Sequence, residues 1–218
     1  MNLKVTKIIG KILPALVISA SLIMSPLAKP AAAASVDTAS KYVESLGNHA
    51  IEIITSKTLD KSTKRKKIEQ LFRDNVDIDW IGKFVLGRFW KQATDDQKKR
   101  YLKEYETFLV RHYATRFTDY TSGSFTITGS RDDGDDEFTV NMQIKSGEAG
   151  GDPILVDYRV RTDSGHKDGF AVFDIIVEGV SMITTQRSEF SSVISNKGMD
   201  YLITQLANKS DIVDTKQR

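Results

Sequence analysis

The residues that would do chemistry in this sequence are three histidines and two acidic side chains set in apolar segments. His49, His112 and His166 are the only imidazoles, and they show no local spacing of the kind metal ligands adopt. There is no cysteine, which excludes thiol nucleophiles, thiolate metal sites and disulfides. Asp157 and Asp174 fall in stretches that read as strands, where a buried carboxylate of raised pKa can act as a base. The plainer reading is a carboxylate that bonds a neighbouring loop or faces solvent, because spacing sets no tyrosine or carboxylate partner beside either one. Gly179-Val180-Ser181-Met182-Ile183 lacks the closing glycine of a nucleophile elbow. No phosphate-binding loop or dinucleotide fingerprint is present, and Gly147 to Gly151 reads as a turn. The chain is therefore read as a non-enzyme. The run Lys61, Lys64, Arg65, Lys66, Lys67 reads as a solvated helix face, with a membrane or partner contact as its alternative.

The elements that would position any site follow from periodicity. Val43, Leu46, Ala50, Ile51 and Ile54 recur at three- and four-residue steps over Tyr42 to Ile54, which predicts an amphipathic helix. Ile68, Leu71 and Phe72 repeat the pattern after the basic run. Asp77 and Asp79 can cap a third helix carrying Trp80, Ile81, Phe84, Val85 and Phe89. Thr94-Asp95-Asp96-Gln97 reads as a capping box opening a long helix that ends near Tyr120, with Leu102, Tyr105, Leu109, Tyr113 and Phe117 in one stripe.

The period then falls to two: Phe125 and Ile127, then Phe138, Val140, Met142 and Ile144, then Val156, Tyr158 and Val160. Gly- and Asp-rich turns separate them, at 129 to 136, 147 to 153 and 163 to 169. The last strand, Phe170 to Glu178, is apolar on both faces and is expected to be central. Two shorter helices follow, broken at Gly198. Helices, then a strand meander, then helices is the order of an α+β domain, and a curved antiparallel sheet closed by helices makes a cone that suits an apolar ligand.

The amino terminus sets the expected compartment. Lys4, Lys7 and Lys11 precede an apolar run from Ile12 to Met24, and Ala31 to Ala34 supply a small-residue cleavage site, which reads as a secretory signal peptide over 1–34. Residues 35–218 would then form a single domain. Losing Lys4, Lys7, Lys11 and Lys29 leaves 27 Lys and Arg against 29 Asp and Glu, so the mature chain is slightly acidic and offers no net field for nucleic acid.

Two segments resemble the MlaC, or toluene-tolerance, family of periplasmic phospholipid-binding proteins. Val85-Leu86-Gly87-Arg88-Phe89-Trp90-Lys91-Gln92-Ala93-Thr94, continuing through Gln97, Tyr105 and Phe108 to Tyr113-Ala114, looks like that family's L-G-R-Y-W box and long helix. Ala171 to Ile183 looks like its last strand, with Arg187, Glu189-Phe190, Gly198, Leu202-Ile203 and Leu206 in step. Phe170 and Phe89 depart from the family's frequent Trp and Tyr but remain aromatic.

The resemblance implies an NTF2-like or cystatin-like cone covered by several helices and enclosing an apolar cavity. It implies a periplasmic carrier that takes phospholipid as cargo and needs no cofactor. It also implies two partners, an inner-membrane ABC transporter with an MCE-domain protein and an outer-membrane lipoprotein complex. On that reading the lipid-binding residues are Phe84, Val85 and Phe89 from the third helix and Leu109, Tyr113 and Phe117 from the long helix. The sheet contributes Val140, Met142, Tyr158, Val160, Phe173 and Ile175, and Val180, Met182 and Ile183 form a closing segment. Ordinary core packing produces the same periodicity. The alternatives are a ligand-free periplasmic interaction module and a cone-fold enzyme using Asp157 or Asp174.

Overall fold

Ser35 opens the first helix with a reciprocal cap: the Thr38 amide donates to its hydroxyl at 3.3 Å and its own amide donates to Thr38 Oγ1 at 2.8 Å. This cap satisfies two otherwise unpaired donors and starts α1 at Val36, ahead of the Tyr42 expected from periodicity; α1 runs Val36–Thr55. The computed structural model describes residues 34–118, 123–146, 152–166 and 168–215. The expected signal segment lies outside them save for Ala34.

Asp60 caps α2 (Lys61–Asn75) by accepting from the Thr63 amide at 2.8 Å, and Asp77 caps α3 (Ile78–Leu86) by accepting from Trp80 at 3.0 Å. The expected single aromatic helix is in fact two. Gly87 takes φ 53° and ψ −122°, a conformation open to glycine and costly for other residues, and α4 (Arg88–Gln92) leaves in a new direction. The capping box at Thr94 is present, with Thr94 and Gln97 exchanging bonds of 3.1 and 3.2 Å, and α5 runs Asp95–Thr118.

Five antiparallel strands follow in the spatial order of the sequence: β1 (Gly123–Gly134), β2 (Glu137–Ser146), β3 (Ile154–Thr162), β4 (Phe170–Val177) and β5 (Val180–Ser181). β1 extends through the expected turn as far as Gly134, absorbing Gly129 in a register shift, and the chain reverses at Asp135 and Asp136, both at positive φ. Helices α6 (Met182–Lys197) and α7 (Met199–Thr215) close the order, with Gly198 between them.

β4 is not central. Only the two-residue β5 and a bridge from Val76 to Val172 lie beyond it, and its apolar second face is explained by α3 and α6 packing against it. A register shift against β3 between Arg159 and Val160 breaks its alternation: Tyr158 faces Ile175, but Val160 faces Val172. Phe173 is the residue passed over. It meets Trp80 edge-on at 5.6 Å and lies under Arg159 at 4.6 Å, and Arg161 stacks on Trp80 at 4.4 Å while pairing with Asp77.

Burial divides into two clusters. The larger joins Tyr42, Val43, Val85, Tyr101, Tyr105, Phe138, Val140, Val160, Phe170 and Phe190 between the helices and the sheet. The smaller holds Ile53, Ile54, Ile68 and Ala114, where α1, α2 and α5 meet.

Candidate functional site: an apolar cavity between α1, α2 and the sheet

A cavity of about 430 Å³ is walled by members of both clusters. That volume falls within the roughly 300–1,000 Å³ of small-molecule sites. Its helical wall is Leu46, Gly47, Ala50, Ile51 and Ile54 of α1 with Ile68, Leu71, Phe72 and Asn75 of α2, followed by Val76 and, from α5, Tyr113. The sheet wall is Ser124 and Phe125 of β1, Met142, Ile144 and Lys145 of β2, Ile154, Val156 and Tyr158 of β3, and Val172, Ile175 and Val177 of β4, with Met182 beside them. The shift in β4 explains how Val172 and Ile175, three positions apart, line the same space.

Polar groups are few on this surface. The Asn75 carboxamide is occupied, donating to Leu71 O at 2.8 Å and accepting the Tyr42 hydroxyl at 3.1 Å. Burial, with the Asp168 carboxylate second, holds the Tyr42 phenol well above its usual range. Burial alone pushes the Tyr158 phenol up to about 12. Both phenols stay neutral at physiological pH, so among the described residues of the wall the only charged side chain is Lys145 at the strand end. Such a surface makes dispersion contacts, and its described residues form no constellation for acid–base or nucleophilic chemistry.

The candidate carboxylates stand elsewhere. Asp157 accepts from Asn141 Nδ2 at 2.7 Å across the β2–β3 pair. Asp174 is buried and accepts the Ser181 hydroxyl at 2.7 Å and the Ile183 amide at 3.3 Å, anchoring the start of α6 to β4. Neither lines the cavity. Among the described residues no three of His, Asp and Glu come together to hold a metal ion.

Of the apolar residues singled out by sequence, Tyr113, Met142, Tyr158, Ile175 and Met182 line the cavity. Val85, Leu109, Val140, Val160 and Ile183 are instead buried in the larger cluster, where the same face of helix or strand is fully covered. Phe84 and Phe89 are half-buried around the Gly87 bend, and Phe173 is turned aside by the β4 shift. Val180 is 51% exposed at the β4–β5 turn, so of the expected closing segment only Met182 reaches the cavity. The Phe117 side chain lies outside the described residues. The α1 and α2 walls were not singled out, although their one-sided periodicity was visible; nothing in the sequence distinguished those apolar faces from the ones that pack solid.

A second depression of about 440 Å³ lies between α1 and β1 but is lined largely by Asp37, Ser40, Lys41, Glu44 and Asn48, and so offers no apolar enclosure.

A family model described as MlaC protein matches residues 44–208, which takes in both cavity layers and all the described helices in whole or part. The chain belongs to the MlaC family. A curated relative, the intermembrane phospholipid transport system binding protein MlaC of Haemophilus influenzae, is 28% identical over 133 residues, 60% of this chain. The match spans 61% of that relative's length. The fold is also that of a solved structure, the phospholipid-binding protein from Ralstonia solanacearum in complex with a phospholipid. It superposes with a TM-score of 0.67 at 23% identity, covering 81% of this chain and 98% of the neighbour.

Proposed function

We propose that this MlaC-family chain is a periplasmic phospholipid carrier whose cavity between α1, α2 and the sheet encloses acyl chains. The observation that carries the reading is the cavity wall itself: two facing apolar layers around about 430 Å³, with Lys145 as the only charge among the described residues of the wall. The names of the Haemophilus relative and the Ralstonia neighbour, the second with a phospholipid bound, support the cargo class. Residues 1–34 direct export and are removed, and no helix among the described residues is long and apolar enough to cross a membrane.

The energetics suit a shuttle. At about 0.8 kcal/mol per CH₂, two chains of roughly 14 to 16 methylenes would cost more than about 20 kcal/mol in water. The methylenes that an apolar cavity encloses escape that cost, as they do in a bilayer. Transfer between the two is then close to isoenergetic, and docking at an inner-membrane transporter complex or an outer-membrane lipoprotein complex decides loading and release. No bond is made or broken, consistent with the structural employment of Asp157 and Asp174 outside the cavity. Phospholipid is cargo, and the reading requires no cofactor.

The test is lipid extraction and mass spectrometry of the exported protein purified without detergent. Phospholipid in stoichiometric amount is expected. A folded protein that carries no lipid, and takes none up from vesicles, contradicts the reading.

A further inference from the structure

Around the Gly87 bend the structure lays two guanidinium groups against aromatic rings, and no carboxylate among the described residues pairs with them. Arg187, on the exposed side of α6, lies against the Gly87 backbone: a Cβ at that position would stand 3.0 Å from its Nη2 and 3.1 Å from its Nε. Its other neighbour is the Phe84 ring, 4.8 Å from Cζ. Arg88, exposed on the next residue of the chain, rests 4.9 Å from the Phe89 ring. Lys91, one turn on, is exposed as well.

The contrast with neighbouring cations is the informative part. Lys83 pairs with Asp79, Lys98 with Asp95 at 3.1 Å, and Arg100 with Asp96 and Asp200, each at 2.7 Å. Among the described residues, no carboxylate lies within ion-pair distance of Arg88, Lys91 or Arg187. An arginine laid on an aromatic face has lost much of its rotamer freedom, yet the donors of its planar fork remain available. Pre-organised arginines flanked by aromatics are the side chains that dominate protein interfaces, and their fork matches a carboxylate in two-point geometry.

From this we infer that the α3–α4 bend and the outer side of α6 form a docking face for a protein surface carrying Asp or Glu, with Arg88 and Arg187 as its anchors. A bilayer fits the face less well. The chain from residue 35 on carries 27 Lys and Arg against 29 Asp and Glu, so it lacks the broad positive field by which proteins adsorb to anionic lipid. The anchors are few, rigid and local. The face uses none of the cavity wall, and so goes beyond the carrier reading and stands or falls apart from it.

The experiment places a photo-cross-linking residue at Lys91 of the exported chain, irradiates intact cell envelopes and sequences the captured peptide. An adduct to a protein segment bearing Asp or Glu is expected. Arg88→Glu combined with Arg187→Glu should lower its yield about tenfold, and exchanging that segment's carboxylates for Lys should restore it. Arg88→Glu alone, at an exposed side chain that rests on the Phe89 ring, should lower the yield about threefold and serves where the double variant does not fold. An adduct undiminished by charge reversal, a segment without acidic residues, capture of lipid alone, or no protein adduct would each overturn the inference. So would sedimentation with phosphatidylglycerol vesicles that the reversal abolishes. Lipid content is read on the same preparations: all variants should retain phospholipid, and its absence throughout would count against the carrier reading while leaving the docking face to the cross-link.

Discussion

Val160 and Val156 lie on the same face of β3, with only Tyr158 between them on that side. Val160 is fully buried among Phe138, Val140 and Phe170, whereas Val156 looks into the cavity. The same division runs along β2, where Phe138 and Val140 are packed and Met142 and Ile144 are wall. It runs along α1 too, where Ala39, Tyr42 and Val43 are core and Leu46, Ala50 and Ile51 are wall. Each element is thus amphipathic along its whole length, and what changes is the layer opposite. Over one half, the Tyr42 ring of α1 stacks on Phe170 at 5.4 Å and Phe138 meets Phe170 edge-on at 6.0 Å; over the other, α1 presents Gly47 and Ala50. A cavity here is a shortage of volume on the facing element, with hydrophobicity undiminished on either side.

The sharpest way to break the comparison is to insert the same bulk into each half of α1. Ala39 is fully buried, and Ala39→Trp should leave the protein unfolded or destabilised by more than about 3 kcal/mol, since a filled core has no room for an indole. Ala50→Trp should fold normally and lose most of its retained phospholipid. Thermal melts and lipid mass spectrometry on both variants check the pair, and equal destabilisation of the two would dissolve the distinction.

Truncation gives a smaller contrast in the same direction. Val160→Ala removes two methyl groups from close packing and should cost about 2 kcal/mol, while Val156→Ala, whose side chain already faces open space, should cost about 1 kcal/mol or less. Urea denaturation of lipid-free protein resolves that difference.

The alkaline limb of stability is a third discriminator. Burial raises the Tyr158 phenol to about 12, against about 10 in an unfolded chain. The folded state therefore holds this proton more tightly. Its contribution is complete below about pH 10 and is lost as pH rises through 12, at up to about 1 kcal/mol per pH unit. Tyr158→Phe should flatten part of that fall between about pH 10 and 12. Tyr42, Tyr101 and Tyr105, also raised by burial, keep the remainder. A denaturation series in which Tyr158→Phe and the parent fall in parallel would place the phenol in contact with bulk water.

The smallest effect belongs to Gly47→Ala. The new Cβ would stand 2.7 Å from the Phe125 ring edge, so the ring must swing along the cavity wall. Helix propensity favours alanine by about 1 kcal/mol, which offsets the displacement and should leave stability within about 1 kcal/mol of the parent. Retained phospholipid should fall measurably.

Most of the architecture was legible because it rests on local chemistry. The Thr94 to Gln97 box, the Asp77 cap and the period-two strands each encode their own element. What was not legible depended on contacts between distant residues. β4 looked central because both its faces are apolar, yet α3 and α6 supply the second cover that a neighbouring strand would otherwise provide. The shift at Arg159 and Val160 turned Phe173 away and brought Val172 in, a change that no count of alternate residues along β4 reveals. For the site, periodicity marked Tyr113, Met142, Tyr158, Ile175 and Met182 together with core residues of the same pattern, because a wall residue and a core residue obey the same rule until the opposite layer is known. The Gly87 bend, which divides the aromatic helix and seats Arg187, follows from one positive φ.

The central claim is that acyl chains occupy the unfilled half of the α1–sheet interface. It is tested most directly by loading the protein with a phospholipid whose acyl chains carry a photoactivatable diazirine and mapping the adducts by peptide sequencing. Adducts should fall on Ile51, Ile54, Phe72, Met142 and Ile175, on both layers of the wall. Adducts confined to Phe84, Phe89 and the exposed Val180, with none on α1 or α2, would contradict it.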